Sequence, residues 1–313
     1  MEISHLRVFQ TVAETGSVSS AAQNLNCVQS NVTARIKGLE DELGSKLFYR
    51  KPRGMIATPA GHILLSYAKQ ILHLEKEAKK ALLDDDKVQG KLLLGSFESV
   101  AAVRLPILLS KYHRLYPEVD LSLITGSSTE LNKKVLNYEI DGAFVTDEYR
   151  VKNMKWTEAF REELVLIYPS GKKSPEAAAQ KGVLVFPRPC AYRERLEQWF
   201  QEKGLALNQK MELGSTDGMI ECVAAGMGVS ILPFSSVEKA SKLGIISVHR
   251  IGKKLGSVPI MFVKREDTLI SKPLSAFLEL LANQGVQGNP QKEEILDPKK
   301  ITQFKPFFDK DTK

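Results

Sequence analysis

The chain is poor in cysteine: Cys27, Cys190 and Cys222 are the only three in 313 residues, widely scattered and without a Cys-x-x-Cys pair. That excludes a disulfide framework and a thiolate-built zinc site. Long apolar runs are missing as well. The best stretches are cut by Lys, Arg or Glu within about ten residues, short of the roughly 20 that a membrane-spanning helix needs. The amino terminus, MEISHLRVFQ, has no cationic stretch leading into an apolar core and no small-residue cleavage site, so a cytoplasmic protein without a membrane partner is expected. Common catalytic signatures are also lacking: there is no GxSxG, HExxH, P-loop or GxGxxG sequence. The five histidines, His5, His62, His73, His113 and His249, are dispersed. Accordingly, no catalytic residue, metal ligand or cofactor is assigned.

What is present suffices for two or three modules: 43% of the residues are hydrophobic, and the length exceeds what one core usually serves. A net charge of +7 favours polyanionic partners without naming one. The first 60 residues read as short helices. Ser4 is placed to cap a helix with Leu6, Phe9, Val12 and Ala13 on one face, ended by Gly16, and Ser17 to cap a second that holds Ala21, Ala22 and Leu25 and stops at Asn26. Asn26 and Gln29 fit a capping box for a third helix whose inner face is Val28, Val32, Ile36, Leu39 and Leu43. Its outer face is Ser30, Thr33, Ala34 and Lys37, with Gln29 and Arg35 at the edges. Such a surface is either an ordinary solvated face or one made to enter a DNA major groove, where amide and hydroxyl groups meet base edges and cations meet phosphate. The preceding short helix, with alanines where the next must approach, forms a helix-turn-helix pattern that favours DNA. Next, Arg50, Lys51 and Arg53 surround a Pro-Arg-Gly turn between short apolar segments, as in a wing that brings cations to the DNA backbone.

Thr58 and Pro59 open a long helix on which Leu64, Tyr67, Ile71, Leu74, Ala78 and Ala81 follow near-heptad spacing. That seam is covered either by a second copy of the chain or by the chain's own next domain. The acidic run Asp84-Asp85-Asp86 reads as a solvated junction. After residue 90 the period changes. KLLLGSF, VDLSLIT, DGAFVT, ELVLIY, VLVF, GVSILP, GIISV and PIMFVK are short apolar runs separated by helical patterns, as in an α/β fold with mainly parallel sheets. About 200 residues of this kind suggest two small lobes facing one another across a crevice. The polar stretch from residue 286 to residue 313 is expected to be a loosely held tail.

Taken in order, LRVFQTVAETGSVSSAAQNLN, VQSNVTARIKGLEDELGSKLFYR, PRGMIATPAG, GKLLLGSFESVAAVRLP, DGAFVTD and GMIECVAAGMGVSILP resemble the LysR-type transcriptional regulators, from residue 1 to about 285. The resemblance implies a winged helix-turn-helix over 1–58, a dimerising linker helix over 59–88 and an effector-binding domain over 89–285. That domain would be two Rossmann-like α/β lobes of the periplasmic-binding-protein kind, lobe I over about 91–162 and 265–285 and lobe II over about 163–264. A homodimer through the linker helix, usually within a homotetramer on double-stranded promoter DNA, is also implied. Gln29, Ser30 and Thr33 match the family's groove-contacting positions, and Arg53 and Thr58 fall in the wing and its return. Many members carry Arg where Ala34 stands, a departure that bears on base preference.

In a two-lobed sheet protein, a small ligand belongs in the crevice at the carboxyl ends of the strands, against helix amino termini. Ser99 and Val100, Gly126 and Ser127, and Thr216 lie at three such starts, with Thr146 at the end of DGAFVT as a fourth place. Hydroxyls beside unpaired amides favour a carboxylate or phosphate, so a small anionic effector is expected; alternatively each Ser or Thr merely caps its own helix. Cys190, with Arg188 and Arg193 nearby, is placed near the crevice mouth and raises thiol-based redox sensing as a variant. A solute-binding or sensor protein is the competing reading for the lobes taken alone.

Overall fold

The computed structural model describes residues 1–51, 54–82, 87–172, 174–207, 209–267 and 270–283. Arg53, the acidic run 84–86 and the tail 286–313 lie outside the described residues, and with them the expectations attached to each.

Three helices open the chain: α1 (Ile3–Thr15), α2 (Val18–Asn24) and α3 (Gln29–Leu43). Leu6, Phe9, Val12, Ala21, Ala22, Val32, Ile36 and Leu39 converge into one buried cluster, the one that their helical spacing predicts. Gly16 ends α1 in the left-handed conformation, and Ser17 caps α2 by accepting from the Ser20 amide. Three details differ from the sequence expectations. Glu2, rather than Ser4, occupies the cap of α1, and the Ser4 hydroxyl donates to the Glu2 carboxylate instead. The second helix stops at Asn24 rather than Asn26, which takes up a left-handed turn at φ 50°. Consequently Val28 becomes the cap residue of α3, no capping box forms, and Val28 and Leu43 both stand out in solvent.

A hairpin follows, β1 (Phe48–Lys51) paired antiparallel with β2 (Gly54–Ala57). It is pinned to the α1–α2 corner by a 2.7 Å bond from the Met55 amide to the Gly16 carbonyl. A Cβ on Gly54 would sit 2.5 Å from that same carbonyl oxygen, so only glycine permits the approach. Then comes α4 (Pro59–Leu82), whose first turn Thr58 caps by accepting from the Gly61 amide.

The remainder is built from β3 (Gly90–Ser96), α5 (Glu98–Val103), α6 (Leu105–Leu115), β4 (Val119–Thr125), α7 (Ser128–Leu136), β5 (Gly142–Thr146) and β6 (Met154–Pro169). It continues through α8 (Pro175–Ala179), β7 (Val183–Val185), α9 (Ala191–Glu202), β8 (Lys210–Glu212), α10 (Thr216–Ala224) and β9 (Ser230–Pro233). The last elements are α11 (Phe234–Lys242), β10 (Ile246–Arg250), α12 (Gly252–Gly256), β11 (Ser257–Arg265) and α13 (Lys272–Asn283). The sheets are mixed rather than mainly parallel. β3 runs parallel to β4 and β5, but β11 pairs antiparallel with both β5 and β6, and β9 and β10 pair antiparallel with β6. The long β6 explains this. Its residues 154–163 pair with β11 beside β5, β3 and β4, and its residues 164–169 pair with β9 and β10. One strand thus serves two lobes, and β7 with β8 joins the second through a Val183–Val229 bridge. Where β6 passes between lobes, buried Glu162 accepts from Arg104 at the α5–α6 junction, at 2.7 Å, and from Ser235 of α11, at 3.0 Å. A buried carboxylate satisfied from both sides ties the lobes at their shared strand.

Candidate DNA interface and interlobe pocket

The outer face of α3 is open. Gln29, Ser30, Ala34 and Lys37 are exposed and Thr33 and Arg35 partly so, while Val32, Ile36 and Leu39 face inward. Beside it, Arg50 and Lys51 project from β1 into solvent. The two pieces are held together by Glu40 on the inner side of α3. This buried carboxylate accepts from the Leu47 amide at 2.8 Å, from the Phe48 amide at 3.4 Å and from the Lys46 ammonium at 3.0 Å. Burial alone would raise its pKa, but these three donors outweigh it and hold the carboxyl below its ordinary value. Thr58 is a different case. It is buried, and its hydroxyl donates to the Lys46 carbonyl at 2.7 Å while capping α4, so it has no group left for a phosphate.

On α4 the predicted seam divides. Leu64 and Ile71 pack partly against the helix-turn-helix core, whereas Tyr67 and Leu74, with Ile63, leave an apolar stripe 55 to 63% exposed. Farther round, Lys69 pairs at 2.6 Å with Glu139, and the His73 ring lies 4.5 Å from that of Tyr138. Part of α4 thus leans on its own chain, and part faces outward.

Between the lobes lies a cavity of about 120 Å³. Ser127, Thr146 and Cys190 of the predicted set line it. Ser99 stands one layer back, its hydroxyl 3.4 Å from that of Tyr192, which is on the wall. Val100 is wholly buried in the hydrophobic core, and the Gly126 amide is spent on the Ser96 carbonyl, so neither presents a group to the cavity. Half of the lining that sequence reasoning missed is aromatic, Phe97, Tyr149, Phe186 and Tyr192, and it also includes Ser128, hydrogen-bonded to Thr146 at 3.4 Å. Phe97 and Phe186 end the apolar runs KLLLGSF and VLVF and could have been found that way, whereas Tyr149 arrives from a 3-10 turn that carries no periodic signal.

Two helix starts at the crevice already hold carboxylates of the chain itself. Glu130 closes a capping box on α7, accepting from the amide and the hydroxyl of Ser127, each at 2.9 Å. Glu98, from the first lobe, accepts from the Thr216 amide at 3.2 Å and from the Thr216 hydroxyl at the start of α10 in the second. Among the described residues, no Arg or Lys lines the cavity. Arg193 is turned away, bonded to Glu212 at 2.6 Å, Glu197 at 3.1 Å and the Phe186 carbonyl at 3.2 Å, and Arg188 pairs with Glu197. Burial pushes the Cys190 thiol up, against the thiolate that redox sensing requires.

An open amphipathic helix beside a basic hairpin, followed by two lobes around a small pocket, is the architecture of a DNA-binding regulator with a substrate-binding domain. The chain belongs to the LysR family of bacterial transcriptional regulators and is not an enzyme: residues 3–62 match the family's bacterial regulatory helix-turn-helix and residues 85–285 the LysR substrate binding domain. It is 43% identical over 281 residues to the HTH-type transcriptional regulator GltR of Bacillus subtilis, covering 89% of this chain and 95% of that protein. To the regulator SoxR of an Arthrobacter species it is 41% identical, covering 90% and 97%. Among solved structures, a full-length OxyR variant from Pseudomonas aeruginosa has the same fold, with TM-score 0.71 and 22% identity over 90% of this chain and 94% of that one. CbnR in complex with its target DNA gives TM-score 0.63 and 24% identity, over 91% and 100%.

Proposed function

We propose that this regulator, in the cytoplasm, places α3 in the major groove of promoter DNA, with Gln29, Ser30 and Thr33 toward base edges and Arg35, Lys37, Arg50 and Lys51 toward phosphates. It does so as a dimer through the Ile63–Tyr67–Leu74 stripe of α4, two dimers forming a tetramer, and it answers to a small carboxylate-bearing effector bound between the lobes. The observation that carries the effector class is the Glu98 carboxylate on the two donors of Thr216: the start of α10 accommodates a carboxylate, and an effector that brings its own can take that place. The apolar cavity walled by Phe97, the residue before Glu98, and by Phe186 and Tyr192 would receive the rest of a small organic anion.

α7 offers the route outward. The first of its nine residues lines the cavity, and just past its last the turn at Tyr138 and Glu139 rests on α4. A helix of that length spans about 13 Å, so a displacement at the pocket reaches the linker helix as a rigid shift. The response is a population shift, which requires that the effector bind one arrangement better than the other.

A thermal-shift screen of small carboxylates, phosphates and uncharged isosteres tests the effector class, with positives retested by footprinting on promoter DNA. Carboxylates should raise the melting temperature where their amides do not. Stabilisation by the neutral isosteres alone would reject the anionic class.

A further inference from the structure

Val28 occupies a position where the chain forgoes two ordinary gains. It is the N-cap residue of α3, in the extended conformation at φ −82° and ψ 151°, where a Ser, Thr, Asp or Asn side chain would accept from a first-turn amide; no side chain does so. Nor does it bury its isopropyl group. It is 66% exposed and stands outside the cluster that unites the surrounding helices, although its neighbours Leu25 and Cys27 pack against that cluster. The backbone keeps it there: Asn26 turns left-handed, the Cys27 amide bonds the Ala22 carbonyl at 3.0 Å, and the Val28 carbonyl accepts from Asn31 at 3.0 Å. An apolar branched side chain is thus held rigidly in solvent directly beside Gln29 and Ser30, at the leading end of the helix.

We propose that Val28 is a specificity-determining residue that reads thymine, its methyl groups packing on the C5-methyl of one T in each half-site. The proposal rests on the reading that α3 enters the major groove. Among the base-edge groups there, the thymine methyl is the one that an apolar side chain recognises, and contact between the two removes both from water. A cap hydroxyl would instead turn back onto the helix amides and offer that methyl nothing. The bases next to the preferred T are then read by Gln29 through hydrogen bonds, so apolar and polar recognition occupy adjacent base pairs.

The test uses the full-length protein and duplexes it selects from a random-sequence pool. Each T of the selected site is replaced singly by deoxyuridine, which removes only the C5-methyl, and affinity is read by fluorescence anisotropy. The wild type should lose about threefold to fivefold at one symmetric pair of positions, the scale expected for one buried methyl. Val28→Ser should be indifferent to the replacement there while melting no lower than wild type, because the hydroxyl supplies the missing cap. A purely structural Val28 would give the opposite pair of results, a lower melting temperature and an unchanged deoxyuridine profile. Val28→Ala, which shortens the side chain without adding a hydroxyl, gives the same readout should the Ser variant fold poorly. A flat deoxyuridine scan in the wild type, or equal losses in both proteins, overturns the proposal. Gln29→Ala, run in parallel, separates the two levels: if its selected sites equal those of the wild type, the groove reading itself falls, whereas altered sites with a flat deoxyuridine scan discard only the role of Val28.

Discussion

At the scale of single residues, the proposed function separates side chains of the helix-turn-helix that would touch DNA from side chains that would aim them. With Gln29 exposed at the start of α3, Gln29→Ala is expected to relax preference at particular base pairs by about 1–3 kcal/mol, the worth of a good bidentate contact. Competition binding over single-base variants of a selected site checks this, and uniform loss over all variants contradicts it. Arg50, exposed on β1, should behave oppositely: Arg50→Ala lowers affinity for all duplexes alike and reduces the slope of log affinity against log salt by about 1. Glu40 belongs to the aiming group. Removing it in Glu40→Ala strands the Leu47 and Phe48 amides and should cost about 1–3 kcal/mol of unfolding free energy by denaturant titration, with the wing loosened relative to α3. These roles were unequally legible. Periodicity told Val32, Ile36 and Leu39 from Ser30 and Lys37, but it also placed Val28 inside. A pattern of three and four cannot tell the last buried position of a helix face from the first one beyond it.

At the scale of elements, the strongly patterned ones were readable. Gly16 and Ser17 punctuate α1 and α2 as expected, and Thr58 with Pro59 opens α4. By contrast β8, fully exposed along Lys210–Glu212, has no apolar alternation to betray it. β6 was visible only as its apolar half, ELVLIY, because Met154–Glu163 alternates Lys, Thr, Glu and Arg with its few apolar residues. The linker helix shows the same limit. Its heptad spacing announced a seam, but which members meet the chain's own core and which face outward is decided in three dimensions. Tyr67→Glu or Leu74→Lys should weaken the proposed dimer at least tenfold by analytical ultracentrifugation while leaving the monomer's melting unchanged, since both side chains are more than half exposed. Loss of folding instead of loss of association would assign the stripe to the chain's own interior.

Across the whole molecule, the lobes are joined by their shared strand β6, the Arg104–Glu162–Ser235 tie and the Glu98–Thr216 contact across the crevice. Glu98→Gln weakens the last of these and should raise affinity for carboxylates that stabilise the wild type, read as a larger thermal shift at equal concentration. An unchanged shift would separate Glu98 from the effector's place. Acid should loosen the fold. Glu40, Glu130 and Glu197 are each held below the ordinary value of 4.5, by different balances of burial, amide donors and neighbouring cations. A depressed carboxyl contributes stability that is fully present above its unfolded pKa and is lost as pH falls through the folded one, so the melting temperature should be level near neutrality and drop below about pH 4.5. The sequence by itself determined the order of the modules, the inward faces of the helices and the family, because these follow from local spacing and from motifs that are contiguous in the chain. Which hydroxyls line the pocket, that Thr216 is spent on Glu98, and that Val28 points outward were decided only by the tertiary structure. Those outcomes depend on partners more than a hundred residues away, or on one turn's backbone angle, and no local pattern encodes either.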